Sequence, residues 1–252
     1  MPKNNHKSFG MGNDELLAGG ILGEPENSID VLVVGDSEAY SSISPMQMWE
    51  AHGFTSYLCS TSGQPLYDSY RFLRQALERQ SPKVVILETN AIFRPYKFND
   101  YLLSRAKSLF SVLRYHNRWK TLSVNDFGGK VGYTWTDNLK GYRYNRNAAA
   151  ADARYHMQPT DEVKEIPTLN LVCLQDMLAL CEEHGAQLLL VSTPSTINWN
   201  YARHNRIAAF AQEHSLTYLD LNLMTEQVPI DWKTDTRDKG DHLNYLGAVK
   251  VS

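Results

Sequence analysis

The run Ile29-Asp30-Val31-Leu32-Val33-Val34, bounded by Asn27-Ser28 on one side and Gly35 on the other, constrains this chain more than any other stretch. Apolar, largely β-branched residues that scarcely alternate with polar ones predict a strand buried on both faces, as in the middle of a parallel sheet. The run stops at Gly35-Asp36-Ser37. Gly35 allows a sharp turn and sets Ser37 just beyond the carboxyl end of the strand, the edge at which open α/β sheets bind ligands. Taken alone the tripeptide is also an ordinary turn sequence, since all three residue types favour turns.

The rest of the chain alternates in the same style. A helix is expected at 45–52, opened by Pro45 and ended by Gly53, then a strand at 54–59. A helix at 67–80 carries Tyr70, Leu73, Ala76 and Leu77 on one face, and a strand follows at 84–87. Further on come a helix at 168–184 closed by Gly185, a strand at 187–191, a helix at 200–214 and a strand at 217–221. Strands separated by helices imply right-handed crossovers, and so a central parallel sheet with helices on both faces, a three-layer α/β/α, flavodoxin-like architecture. With 252 residues and 42% hydrophobic content, one domain with one sizeable core is the expectation for 1–252. Residues 1–28 are polar and Gly-rich and predict a loosely packed lead-in with a short helix near Asp14-Glu15-Leu16-Leu17. Residues 94–167 break the pattern with many aromatic side chains, a helical piece at 102–122 and several glycines, and read as an inserted lid or cap. The aromatic residues suit stacking on sugar rings and suit a small satellite core equally well.

Near the other end, Thr234-Asp235-Thr236-Arg237-Asp238-Lys239-Gly240-Asp241-His242-Leu243-Asn244-Tyr245-Leu246-Gly247-Ala248 sets one histidine among three aspartates. A serine attacks a carbonyl only with a base beside it, and that base needs a third group to fix its tautomer. Ser37, His242 and an aspartate would supply those parts. Residues three or four apart share a face of a helical turn whereas neighbours do not, which favours Asp238 over Asp241 as the partner of the His242 Nδ1, with Asp235 a third choice.

Gly35-Asp36-Ser37 and the Asp/His-Leu-Asn-x-x-Gly-Ala segment resemble the first and last sequence blocks of the SGNH (GDSL-type) hydrolases. Within that superfamily the chain looks most like bacterial proteins related to the O-acetyltransferases and esterases of cell-surface polysaccharides. The resemblance implies an SGNH hydrolase fold and an oxyanion hole made of the Ser37 N–H, the Gly63 N–H in the loop Ser60-Thr61-Ser62-Gly63-Gln64-Pro65, and the Asn90 side chain. The chain departs from the family at three places: Glu88 stands where the third block has glycine, Ala91 where it has aspartate, and Lys239 where the acid commonly lies, three residues before the histidine. The implied chemistry is acyl transfer through an acyl-serine, to water as an esterase or to a sugar hydroxyl as an acyltransferase. A small acyl-ester, with acetyl the expected group and a glycan its carrier, is the implied substrate, and no cofactor is expected. A carbohydrate-binding member of the fold without activity is the alternative. A flavodoxin-like phosphate or nucleotide binder is a third reading, opposed by the lack of a Gly-rich loop after the first strand.

A net charge of −3 gives no reason to expect nucleic acid. Cys59, Cys173 and Cys181 are odd in number and lack a Cys-x-x-Cys pair, so buried free thiols are expected. His116 and His156 stand alone and are not expected to hold a metal. No apolar run reaches the length of a membrane span and the N-terminus lacks a signal-peptide core. The chain as written reads as soluble: cytoplasmic, or extracytoplasmic if an N-terminal anchor precedes it.

Overall fold

In the computed structural model, residues 13–95 and 135–252 are described. The helices are α1 (Asn13–Gly19), α2 (Ser37–Ser42), α3 (Pro45–His52), α4 (Leu66–Leu77), α5 (Thr168–Glu183), α6 (Tyr201–Glu213) and α7 (Tyr245–Val251). The strands are β1 (Val31–Gly35), β2 (Ser56–Ser60), β3 (Val84–Glu88), β4 (Gln187–Ser192), β5 (Thr217–Asp220), and a short pair β6 (Thr236–Arg237) and β7 (His242–Leu243). The first five form one sheet in the order β2-β1-β3-β4-β5, every pairing parallel. That is the flavodoxin-like order, in which the chain reverses direction between β1 and β3.

Alternation along the strands divides the core into two layers. Leu32, Val34, Tyr57, Cys59, Val85, Leu87, Leu188 and Leu190 face α1, α4, α5 and α6. Val31, Val33, Leu58, Ile86 and Val191 face α2 and α3. The three-layer expectation therefore holds. The three cysteines are free and buried, and burial pushes their thiols up, that of Cys181 to about 12. No helix among the described residues is long and apolar enough to cross a membrane.

Two expectations need correction. From residue 13 onward the lead-in is part of the core: Leu16, Ala18, Ile21 and Leu22 are buried, and the Tyr57 hydroxyl donates to the Leu17 carbonyl at 2.8 Å. A helix of seven residues is too short to announce its apolar face by period. Residues 236–243 form a β-hairpin rather than the helical turn on which the expected pairing of Asp238 with His242 rests, with Arg237 paired to His242 across an antiparallel ladder. The predicted helix at 102–122 and His116 lie outside the described residues.

The described part of the expected insert is a strap. The Leu58 N–H on edge strand β2 donates to the Lys140 carbonyl, Arg143 N–H to the Tyr40 carbonyl of α2, and Ala149 N–H to the Thr236 carbonyl of the hairpin. A Cβ on Gly141, which has φ +89, would come within 2.2 Å of the Leu58 carbonyl oxygen, so only glycine lets the strap lie this close to β2.

Candidate active site

The parallel registers level the carboxyl ends of the strands: Gly35 lies beside Ser60, Glu88 beside Val191, and Ser192 beside Asp220. Everything that leaves those ends emerges along one edge, and the reversal between β1 and β3 opens a crevice there. Gly35 is required for space rather than for its dihedral angles. A Cβ on it would meet the Glu88 Cβ at 2.7 Å and the Ala39 Cβ at 2.9 Å. Asp36 then caps α2, accepting from the Glu38 N–H at 3.0 Å, and Ser37 becomes the first, half-buried residue of that helix.

Opposite α2 stands the hairpin. Asp238, Lys239 and Gly240 at its tip have φ of 54°, 58° and 94°, three left-handed residues in succession. The tip is held from the loop after β4: the Thr196 N–H donates to the Gly240 carbonyl at 3.0 Å, and Ser195 Oγ donates to the Gly240 and Asp241 carbonyls at 3.1 and 2.9 Å. Arg237 Nη2 donates to Ser41 Oγ at 2.7 Å and ties the hairpin to α2. The result is an imidazole with two different nitrogens. His242 Nδ1 lies 3.2 Å from Asp238 Oδ2 and 3.4 Å from Asp241 Oδ2, whereas Nε2 is buried and has no hydrogen-bond partner among the described residues. Asp235 is elsewhere, paired with Lys250 at 2.5 Å.

Gly63 lies in the turn after β2 with φ +60, its Cβ direction 3.0 Å from Arg94 Nη1. Asn90, two residues past the end of β3, donates from Nδ2 to Asp36 Oδ2 at 3.0 Å and accepts from Arg203 Nη1 at 2.9 Å. One of its two amide hydrogens is thus held by Asp36, and the other has no acceptor among the described residues. Arg94 Nη2 completes the Asp36 shell at 2.7 Å.

Sequence reasoning did not foresee how many acids are buried here. Asp36, Glu38 and Glu88 are all at most 1% exposed. Both Glu88 oxygens accept from the Asn90 N–H, at 3.2 and 3.1 Å. Glu38 Oε1 accepts from Asn198 Nδ2 at 2.6 Å, and the same nitrogen donates to Asp241 Oδ1 at 2.5 Å. Burial, and after it the charge of neighbouring carboxylates, holds the Glu38 and Glu88 carboxyls well above the usual range. Burial also raises Asp36, against the opposing pull of the Glu38 N–H and Arg94. The one sequence signal was Glu88 in place of the expected glycine. Arg94, Asn198 and Arg203 left none.

Past β4 and β5 on the same edge, a cavity of about 280 Å³ is lined by His156, Pro194, Leu221, Asn222, Val228 and Trp232 among others. The His156 ring meets Trp232 edge-on, 5.1 Å between centroids.

No protein-family model matches the chain, and no curated protein matches it. Among solved structures the chain is similar to a GDSL-like lipase from Bacteroides thetaiotaomicron, with 12% identity, 94% of this chain and 92% of that chain covered, and a TM-score of 0.46. It is also similar to the psychrotrophic esterase EstA from Pseudoalteromonas sp., with 11% identity, 88% and 91% covered, and a TM-score of 0.43.

Proposed function

We propose that the chain is a serine-dependent acyl-ester hydrolase or acyltransferase of the SGNH type, with Ser37 as nucleophile, His242 as base and Asp238 as the group that orients the base. The observation that carries this reading is the asymmetry of His242. Nδ1 faces a carboxylate while Nε2 has no partner among the described residues, on a hairpin docked against the helix that begins with Ser37. A base must keep one nitrogen available and have the other fixed.

In the proposed reaction Ser37 Oγ bonds to the ester carbonyl carbon as His242 Nε2 takes its proton. The N–H groups of Ser37 and Gly63 and the second Asn90 amide hydrogen hold the alkoxide, and collapse expels the alcohol with the proton from His242. Water or a sugar hydroxyl, deprotonated by His242, then takes the acyl group and frees Ser37. Acetyl is the favoured group and a glycan the favoured carrier. The exposed rings of Tyr144 and Tyr155, and the cavity at Trp232, support a sugar-binding role.

A catalytically silent glycan-binding protein is the second reading. It is favoured by the engagement of Asn90 with Asp36 and Arg203, which gives that amide a structural task. Intact-mass analysis after treatment with a serine-directed fluorophosphonate, together with release of p-nitrophenol from its acetate, separates the two. A single adduct, abolished by Ser37→Ala and by His242→Ala, is expected. A folded protein that takes up no adduct would reverse the order of the readings.

A further inference from the structure

Three potential ligands converge at the hairpin tip. One donor atom from each of Glu38, Asp241 and His242 lies within 4.8 Å of the other two. Asn198 arranges them. Its Nδ2 commits both hydrogens, one to Glu38 Oε1 and one to Asp241 Oδ1, which fixes the two carboxyl planes, leaving Glu38 Oε2 uncommitted and Asp241 Oδ2 beside His242 Nδ1 at 3.4 Å. Glu38 is 1% exposed, and its Oε2 is buried without a hydrogen-bond partner among the described residues, as is His242 Nε2.

Acidic side chains are concentrated here as well. Asp36, Glu38, Glu88 and Asp241 crowd one edge of the sheet, Arg94 is paired to Asp36, and the Arg203 guanidinium lies near enough to act on Asp36, Glu38 and Glu88. Among the described residues no lysine or arginine forms an ion pair with Glu38, Glu88 or Asp241. A buried carboxyl oxygen and a buried imidazole nitrogen that both lack a partner are costly, and a cation held between them would satisfy both.

We propose that Glu38, Asp241 and His242 bind a single divalent transition-metal cation, with zinc the best fit. Two carboxylates offset its charge. The imidazole nitrogen selects against magnesium and calcium, which take oxygen ligands. Three protein ligands leave a fourth position for water or a substrate oxygen. The surrounding contacts are those that orient metal ligands: Asp238 behind His242 Nδ1, and Asn198 behind both carboxylates. Cation binding rests on these contacts alone. Its consequence rests on the proposed acyl chemistry: a metal on His242 Nε2 occupies the nitrogen that would deprotonate Ser37, so the loaded protein is silent toward acylating reagents.

The test is titration of the chelator-stripped full chain with zinc chloride, by calorimetry and by competition with a chromogenic chelator. One equivalent is expected. Glu38→Gln and Asp241→Asn each weaken binding at least tenfold, Asn198→Ala also weakens it, and His156→Ala leaves it unchanged. X-ray absorption at the zinc edge of the unaltered protein reads the ligands independently of any variant's folding. Nitrogen and oxygen with one imidazole are expected. Sulfur ligation, sub-stoichiometric uptake, or equal uptake by Glu38→Gln and Asp241→Asn would overturn the site. Fluorophosphonate labelling with and without zinc separates the two proposals. Labelling lost on zinc addition and restored by chelator supports both. Stoichiometric zinc with no labelling in either state keeps the metal site and sinks the acyl reading. Labelling without zinc uptake does the reverse.

Discussion

Asp238 and Asp241 stand at nearly equal distance from the same nitrogen, yet they are not equivalent residues. Asp241 already gives one oxygen to Asn198, whereas Asp238 hydrogen-bonds His242 and is half exposed. Asp238→Asn is therefore expected to lower kcat/KM for p-nitrophenyl acetate by about 10²–10⁴, and Asp241→Asn by less than about tenfold, measured in zinc-free buffer. The opposite order would transfer the orienting role to Asp241. The spacing of Asp238 and His242 anticipates their contact, though its physical cause differs: a hairpin tip with positive φ, not the face of a helical turn, brings them together. Glu38 and Asn198 were illegible for a plainer reason. They meet across 160 positions of sequence, and nothing local in Ser37-Glu38-Ala39 says that the glutamate points inward.

At the scale of the element, the hairpin concentrates strain where the candidate base sits. Left-handed backbone costs a non-glycine residue about 1–2 kcal/mol, and Asp238 and Lys239 both adopt it. Lys239→Gly relieves one such cost at the expense of unfolded-chain entropy, so denaturant unfolding should show a change between zero and about 1 kcal/mol of stabilisation. Gly240→Ala is the opposite case. Its Cβ would lie 2.1 Å from Thr196 Oγ1 and 2.7 Å from the Ala151 Cβ, and φ is +94. A loss of about 1–3 kcal/mol is expected, together with a fall in fluorophosphonate labelling that persists under conditions where the variant is fully folded. Unchanged labelling would show that the tip is not what holds His242. The sheet and its covering helices were readable because β1 is a continuous apolar run and α4 keeps its apolar residues on one face. The strap at 137–151 was not. Many of its contacts are backbone hydrogen bonds to β2, α2 and the hairpin, which any sequence could make, and the close approach to β2 is marked by Gly141.

For the molecule as a whole, the acids at the carboxyl edge set how stability responds to pH. Glu88 is 1% exposed, and burial first, then the charge of Asp36, raise its pKa well above the usual range. The folded state consequently keeps a proton that the unfolded chain releases above about pH 4.3, so stability declines as pH rises from there toward the folded pKa. Asp220 works in the opposite sense. Burial pushes it up, but hydrogen bonds from His204, Asn222 and Trp199 outweigh that and hold it low, so its contribution is present above about pH 3.9 and lost as pH falls through its folded pKa. Glu88→Gln keeps the shape and an acceptor for the Asn90 N–H while removing the ionisable group. From about pH 4.3 up to the folded pKa of Glu88, the unfolding free energy of the unaltered chain should fall more steeply than that of Glu88→Gln, by up to about 1.4 kcal/mol per pH unit. Parallel profiles would mean that Glu88 ionises alike in both states, and that Asn90 and Thr193 offset its burial completely.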